Sequence, residues 1–193
     1  MKKIFISIIA VLFILLSIII YRYVFITNIY NNINNNNSNI LNYKLKINKN
    51  NSNFVIEVSR KDSTIVTRFN DIYTYYYYND NGTNTYTAYN LNTETKNAII
   101  SSSTNYAPNY FNPFNDLDNF SKSDLFFANI KEIDNSYIIK INNKNFECKI
   151  NKNNYYPIYI DYNGDKTSFI FIINSITEQD IELPDLTQYT VQQ

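Results

Sequence analysis

Residues 155–173 read Tyr155-Tyr156-Pro157-Ile158-Tyr159-Ile160-Asp161-Tyr162-Asn163-Gly164-Asp165-Lys166-Thr167-Ser168-Phe169-Ile170-Phe171-Ile172-Ile173. Two aromatic and β-branched runs flank Asn163-Gly164, a pair that accepts the positive φ angles of a tight hairpin turn. The same grammar is repeated just upstream. Residues 136–142 and 145–151 are strand-like and meet at Asn143-Lys144, so the last third predicts consecutive hairpins, an antiparallel meander. Residues 168–173 are apolar at nearly every position. A one-sided antiparallel strand alternates, so cover is expected on both faces of the sheet here.

Moving outward, residues 43–48, 54–60, 64–69, 72–78, 85–91 and 97–102 are further short strands. Asn79-Asp80-Asn81-Gly82 supplies turn chemistry between the fourth and fifth. Residues 105–119 carry Pro108 and Pro113 and do not suit a central strand. Within residues 114–130, Leu117, Phe120, Leu125 and Phe126 fall near helical spacing, with Ser123 or Asp124 as a cap for a short helix. The composition agrees with strands, since 19 Tyr and 13 Phe stand against only 2 Gly, and aromatic side chains suit a half-buried pleated surface.

The first residues differ in kind. Lys2 and Lys3 precede an apolar run over residues 4–23, long enough for the ~20 residues a bilayer core requires. Tyr21, Arg22 and Tyr23 suit the headgroup region. The small-residue site of a cleaved signal peptide is missing after the run, so an uncleaved transmembrane anchor over residues 1–26 is expected. The two lysines favour a cytoplasmic N-terminus and an extracytoplasmic remainder. Residues 27–42 are dominated by Asn and read as a polar linker, with a helical continuation of the anchor as the alternative. Residues 43–190 form the extracytoplasmic domain.

Several chemistries are disfavoured. The 17 basic and 17 acidic residues cancel, leaving no basic stripe for nucleic acid. No histidine is present, which removes the usual general base and the commonest metal ligand. Cys148 shares a strand face with Phe146 and Ile150, the setting of a core thiol. Asp161, Asp165, Glu178, Asp180, Glu182 and Asp185 form a loose acidic series, but turn chemistry accounts for Asp161-Tyr162-Asn163-Gly164-Asp165. No catalytic residue, metal ligand or cofactor is expected, and the chain is read as a non-enzyme.

A resemblance sharpens the fold. Lys152-Asn153-Asn154-Tyr155-Tyr156-Pro157-Ile158-Tyr159-Ile160-Asp161-Tyr162-Asn163-Gly164-Asp165-Lys166 resembles a hairpin of LolA/LppX-like lipoprotein-carrier folds, in the exported, membrane-anchored form found in low-GC Gram-positive bacteria. Residues 167–176 are similar to that family's next strand. Residues 86–96 resemble an early strand with its turn, and Ile181-Glu182-Leu183-Pro184-Asp185 a closing segment. The resemblance implies a mainly β (α+β) domain: a strongly curved antiparallel sheet, an unclosed β-barrel, with one or two short covering helices around an apolar cavity. The expected function is binding of a lipid or other apolar ligand, with Tyr75, Tyr77, Phe169 and Phe171 as ligand-binding side chains. An envelope sensor or protein-interaction domain without a cavity is the alternative. The expected partners are the membrane, a lipid or an envelope protein.

Overall fold

The structure is a computed structural model and describes residues 2–39, 42–49, 55–62, 64–70, 72–79, 86–103, 114, 117 and 120–192. Helix α1 covers Lys2–Asn39 and a short helix α2 covers Lys122–Phe127. The strands are β1 (Asn42–Lys49), β2 (Val55–Lys61), β3 (Thr64–Phe69), β4 (Tyr73–Asn79), β5 (Tyr86–Asn92), β6 (Asn97–Ser103), β7 (Asn129–Ile133), β8 (Ser136–Ile141), β9 (Phe146–Asn151), β10 (Pro157–Tyr162), β11 (Asp165–Ile173) and β12 (Thr190–Gln192).

All twelve strands belong to one sheet, ordered β12-β6-β5-β4-β3-β2-β1-β11-β10-β9-β8-β7. Two meanders, β1 to β6 and β7 to β11, are joined by antiparallel pairing of β1 with β11, with Tyr43 opposite Ile173 and Ile47 opposite Phe169. The ends of the sheet are β7 and the three-residue β12, which runs parallel to β6. The sheet is therefore unclosed. Asn and Asp make most of the turns: Asp62, Asn70, Asp134, Asn145, Asn163 and Asn174 hold positive φ, which these short polar side chains tolerate best after glycine, while Lys96 and Tyr155 take the same conformation in two others.

The expected hairpins are present, with β7 and β12 as additions. β7 begins at the end of the 114–130 segment that reads as helical, and the described helix there is Lys122–Phe127. Its N-cap is Ser121, not Ser123 or Asp124; Asp124 sits at N3 and completes a capping box with the Ser121 backbone. Residues 80–82 of the expected turn and most of the break at residues 105–119 lie outside the described residues, and Asn79 ends β4.

Directly opposed residues in the strand registers point to the same side, which divides the sheet into two faces. One face carries Leu45, Val58, Ile139, Cys148, Ile150, Ile160 and Phe169, all buried in a single core. On the other, a smaller cluster over β3 to β6, Val66, Tyr76, Leu91 and Ala98, packs under Ile181, Leu183, Leu186 and Tyr189 of the C-terminal segment. Among the described residues, cover is found on one side of β11. Ile170 and Ile172 are 53% and 52% exposed, opposite Lys46 and Lys44 of β1. Only Phe169, Phe171 and Ile173, on the core side, pack inward.

Helix α1 has two dissimilar halves. Over residues 6–24 it is largely apolar and outward-facing, Arg22 being the charged and half-buried exception, and it is long and apolar enough to cross a membrane. Ser17 donates its hydroxyl to the Phe13 carbonyl one turn back at 2.8 Å, satisfying the polar group within the helix. The Asn-rich segment then continues as helix, the second of the two readings of those residues. Ile26, Ile29 and Ile33 recur at i, i+3 and i+7 and are buried in the main core. That stripe overrides the modest helix propensity of Asn. Asn32 adds bonds to the Asn28 carbonyl and side chain at 2.8 and 2.9 Å.

Between the halves, Arg22 joins α1 to α2. Its guanidinium donates to the carbonyls of Phe126 at 2.7 Å and Ala128 at 2.6 Å. Carbonyls at a helix C-terminus lack intrahelical partners and carry partial negative charge, so a cation there is stabilising. The guanidinium also lies 5.8 Å from the Phe126 ring centre. One turn on, Phe25 meets Tyr137 edge to face at 5.6 Å.

Candidate functional site

Three of the four side chains expected to bind ligand, Tyr75, Phe169 and Phe171, share the core face of the sheet. Phe171 opposes Leu45, Leu45 opposes Val58, Val58 opposes Thr67 and Thr67 opposes Tyr75. Four strand spacings of about 4.8 Å put roughly 19 Å of sheet between Phe171 and Tyr75. One face therefore unites them and no single pocket does. Phe169 is buried in the core. Phe171 is a packing residue as well, with ring centres 5.1 Å from Tyr156, 5.9 Å from Phe114 and 6.0 Å from Tyr43. Tyr75 is half-buried against Phe69 at 5.4 Å, and Tyr73 and Ile99 on the same face are 45% and 49% exposed. The backbone of Tyr77 pairs with Ile65 and Ala88; its side chain lies outside the described residues.

The concavity on this face is elsewhere. A groove of about 790 Å³ opens where the β8–β9 and β10–β11 turns meet Phe120. Its floor is Phe120, Phe146 and Ile160, and its rim is Lys144, Asn163 and Asp165. Two hairpins build it. Asn145, in left-handed conformation, ends a short 3-10 turn over Asn142–Lys144, and Gly164 at φ 86° turns β10 into β11. Asp161 accepts from the Gly164 N–H at 2.9 Å, so the turn reading of the Asp161–Asp165 segment is what the chain uses. The Asn163 N–H donates to the Asn145 carbonyl at 3.0 Å and ties one turn to the other. Phe120 closes the floor, its ring centre 4.1 Å from that of Phe146.

Charge at the rim is paired. Lys144 bonds Asp124 at 2.9 Å and lies 5.3 Å from the Phe120 ring centre. Backbone and side-chain bonds from Ser121 and the Lys144 ammonium hold the Asp124 carboxyl below the usual carboxylate range. Asp165 pairs with Lys49 at 2.8 Å. The groove thus combines a small apolar floor with a largely polar wall, Asn143, Lys144, Asn145, Asn163, Asp165 and Thr167 making up six of its ten lining residues. None of its floor residues is given a ligand role by the sequence, which places Phe120 in a helical stripe and Phe146 on the Cys148 strand face; they converge only through the strand order.

The remaining candidate groups are occupied otherwise. Cys148 is fully buried opposite Ile139 and Ile160, and burial pushes its thiol well above the ordinary value. Thiolate chemistry needs the reverse shift. The acidic series is dispersed into local pairs: Glu178 with Lys61, Asp180 with Lys44, and Asp185 with the Thr187 N–H and hydroxyl. No known family model matches the chain, and no curated protein is similar to it.

Proposed function

We propose that the chain is a single-pass membrane protein. Its N-terminal helix spans the bilayer with Lys2 and Lys3 on the cytoplasmic side, and its β domain is extracytoplasmic. The sheet is read as a strongly curved half-barrel, with α1 and α2 lying over its concave side, as the resemblance to LolA-type carriers implies. The groove over Phe120, Phe146 and Ile160 takes an amphiphile. Its acyl chain lies on the aromatic floor, where the hydrophobic effect supplies affinity, and its polar head lies at the Lys144–Asp165 rim.

The observation that carries this reading is the groove itself, on the same face as the core and open at the strand ends. Photo-crosslinking of the full chain in nanodiscs with a diazirine fatty acid tests it. Adducts on residues 142–167 are expected; adducts confined to residues 6–24 would mean only bulk lipid around the anchor and would sink it. The alternative, an envelope interaction domain, draws support from a different fact. Ile26, Ile29 and Ile33 are buried in one core with residues of β1, β2 and β8 to β11, the side on which a carrier-type cavity would lie.

A further inference from the structure

We propose that the β domain sits directly on the membrane surface, with Phe127 at the end of α2 inserted into the bilayer interface as a second lipid contact. This rests on the reading of α1 as membrane-spanning. The register of one unbroken helix then fixes the height of the domain. The apolar run that precedes Arg22, residues 4–21, is about 27 Å long at the helical rise, close to a hydrocarbon core of ~30 Å. The bilayer boundary therefore falls near Arg22. Ile26, four residues later, is already buried in the domain core. No length of chain is left to hold the domain away from the lipid.

Helix α2 lies alongside α1 in the opposite direction. Lys122 at its start is 5.3 Å from the Tyr30 ring centre, while its end is held by Arg22 through the Phe126 and Ala128 carbonyls. Its C-terminal end thus points down to the level of residues 22–23. There Phe127 is 84% exposed, more than any other large apolar side chain among the described residues. Tyr21 and Tyr23 are exposed on α1 at the same level, and an apolar cleft of about 230 Å³ opens between Tyr23, Ile26, Phe126 and Phe127. Tyrosine and phenylalanine rings beside an arginine are the chemistry of a headgroup-level anchor. The partner that fits is lipid, because the surface continues the apolar face of α1.

The chain contains no tryptophan, so Phe127→Trp creates a sole indole fluorophore at an exposed position. In vesicles of phosphatidylcholine and phosphatidylglycerol, its emission is expected to be blue-shifted. Lipids brominated near the headgroup end of the acyl chain should quench it more than lipids brominated near the methyl end. Quenching by acrylamide without quenching by bromolipid overturns the proposal; so does protection from both, which points to a protein partner. A separate Phe13→Trp variant distinguishes the two levels of failure. If deep bromines quench the Phe13→Trp variant and no bromolipid quenches the Phe127→Trp variant, the anchor stands and this proposal falls. If the Phe13→Trp variant is unquenched, the spanning helix falls first and this proposal with it.

Discussion

Replacing Ile29 with Ala tests whether the Asn-rich half of α1 is part of the folded domain or a tether to it. Ile29 is 1% exposed and sits in the main core between Ile26 and Ile33. The substitution removes three methyl or methylene groups, worth ~2.4 kcal/mol in transfer free energy alone. Incomplete collapse of the site adds a cavity contribution, giving about 3–4 kcal/mol in total. A domain of this size has on the order of 5–15 kcal/mol to lose. With a urea slope of ~2 kcal/mol/M, the unfolding midpoint of the full chain in mild detergent should fall by roughly 1.5–2 M, followed by tyrosine fluorescence or circular dichroism. Ile14→Ala, on the outward-facing half of the same helix, is the control and should leave the β domain's midpoint unchanged. If Ile29→Ala behaves like Ile14→Ala, within about 0.5 kcal/mol, the helix does not belong to the core, and the fixed height of the domain above the bilayer loses its basis.

Two further predictions concern side chains outside the groove. Cys148 should resist a water-soluble thiol reagent such as 5,5′-dithiobis(2-nitrobenzoate) at pH 8 in the folded protein and react fully in denaturant; rapid labelling of the native chain would contradict its burial and raised pKa. Asp180 should give the domain an acid-sensitive step. Burial opposes its ionisation, but Lys44 at 2.8 Å and the Thr177 N–H and hydroxyl outweigh that and hold it at about 2. A carboxyl depressed in the folded state stabilises above its unfolded value of ~3.9, and that contribution is lost as pH falls through about 2. Full linkage would give ~2.6 kcal/mol, but the two side chains are 21% and 34% exposed, so solvent screening reduces the expectation to about 1 kcal/mol. Asp180→Asn should lower stability at pH 7 by that amount and flatten the dependence between pH 4 and 2; an unchanged acid profile would refute the assignment.

The strands were legible because each is decided locally. Asn163-Gly164 and the paired runs around it place β10 and β11 within two or three residues of their observed bounds, and Thr64–Phe69 is read from sequence with the same limits the structure shows. β7 was hidden because Ile130 continues the apolar spacing of the short helix before it, and because an exposed edge strand has no buried face to impose alternation. β12 is held by pairing with β6, a tertiary fact with no local signal. The helical tract was a contest between composition and period. Asn predominates over residues 31–39, yet Ile26, Ile29 and Ile33 keep a helical stripe through it, and burial of that stripe decided the outcome. The groove was not legible at all, since Phe120, Phe146 and Ile160 meet only when strand order and the Asn163–Asn145 bond bring two turns to one end of the sheet.

That one helix serves both as the apolar N-terminal segment and as a core element has a mechanical consequence. A domain on a flexible linker samples many orientations, and its sites have no fixed position relative to the membrane. Here the path from Val24 to Ile33 is continuous helix, and Arg22 braces it against the end of α2. On the proposed placement, the angle of the sheet to the bilayer is set by helical register, since each residue turns the helix by about 100°. A groove held at a fixed height and direction is poorly suited to carrying cargo between membranes, which requires release of the whole protein. It is well suited to receiving an amphiphile delivered to one place on the surface, or to reporting its presence through the helix. The balance between those two uses turns on the core. Ile26, Ile29 and Ile33 belong to the same buried core as Phe146 and Ile160, so any ligand that repacks either groove residue acts on the cluster that holds the helix.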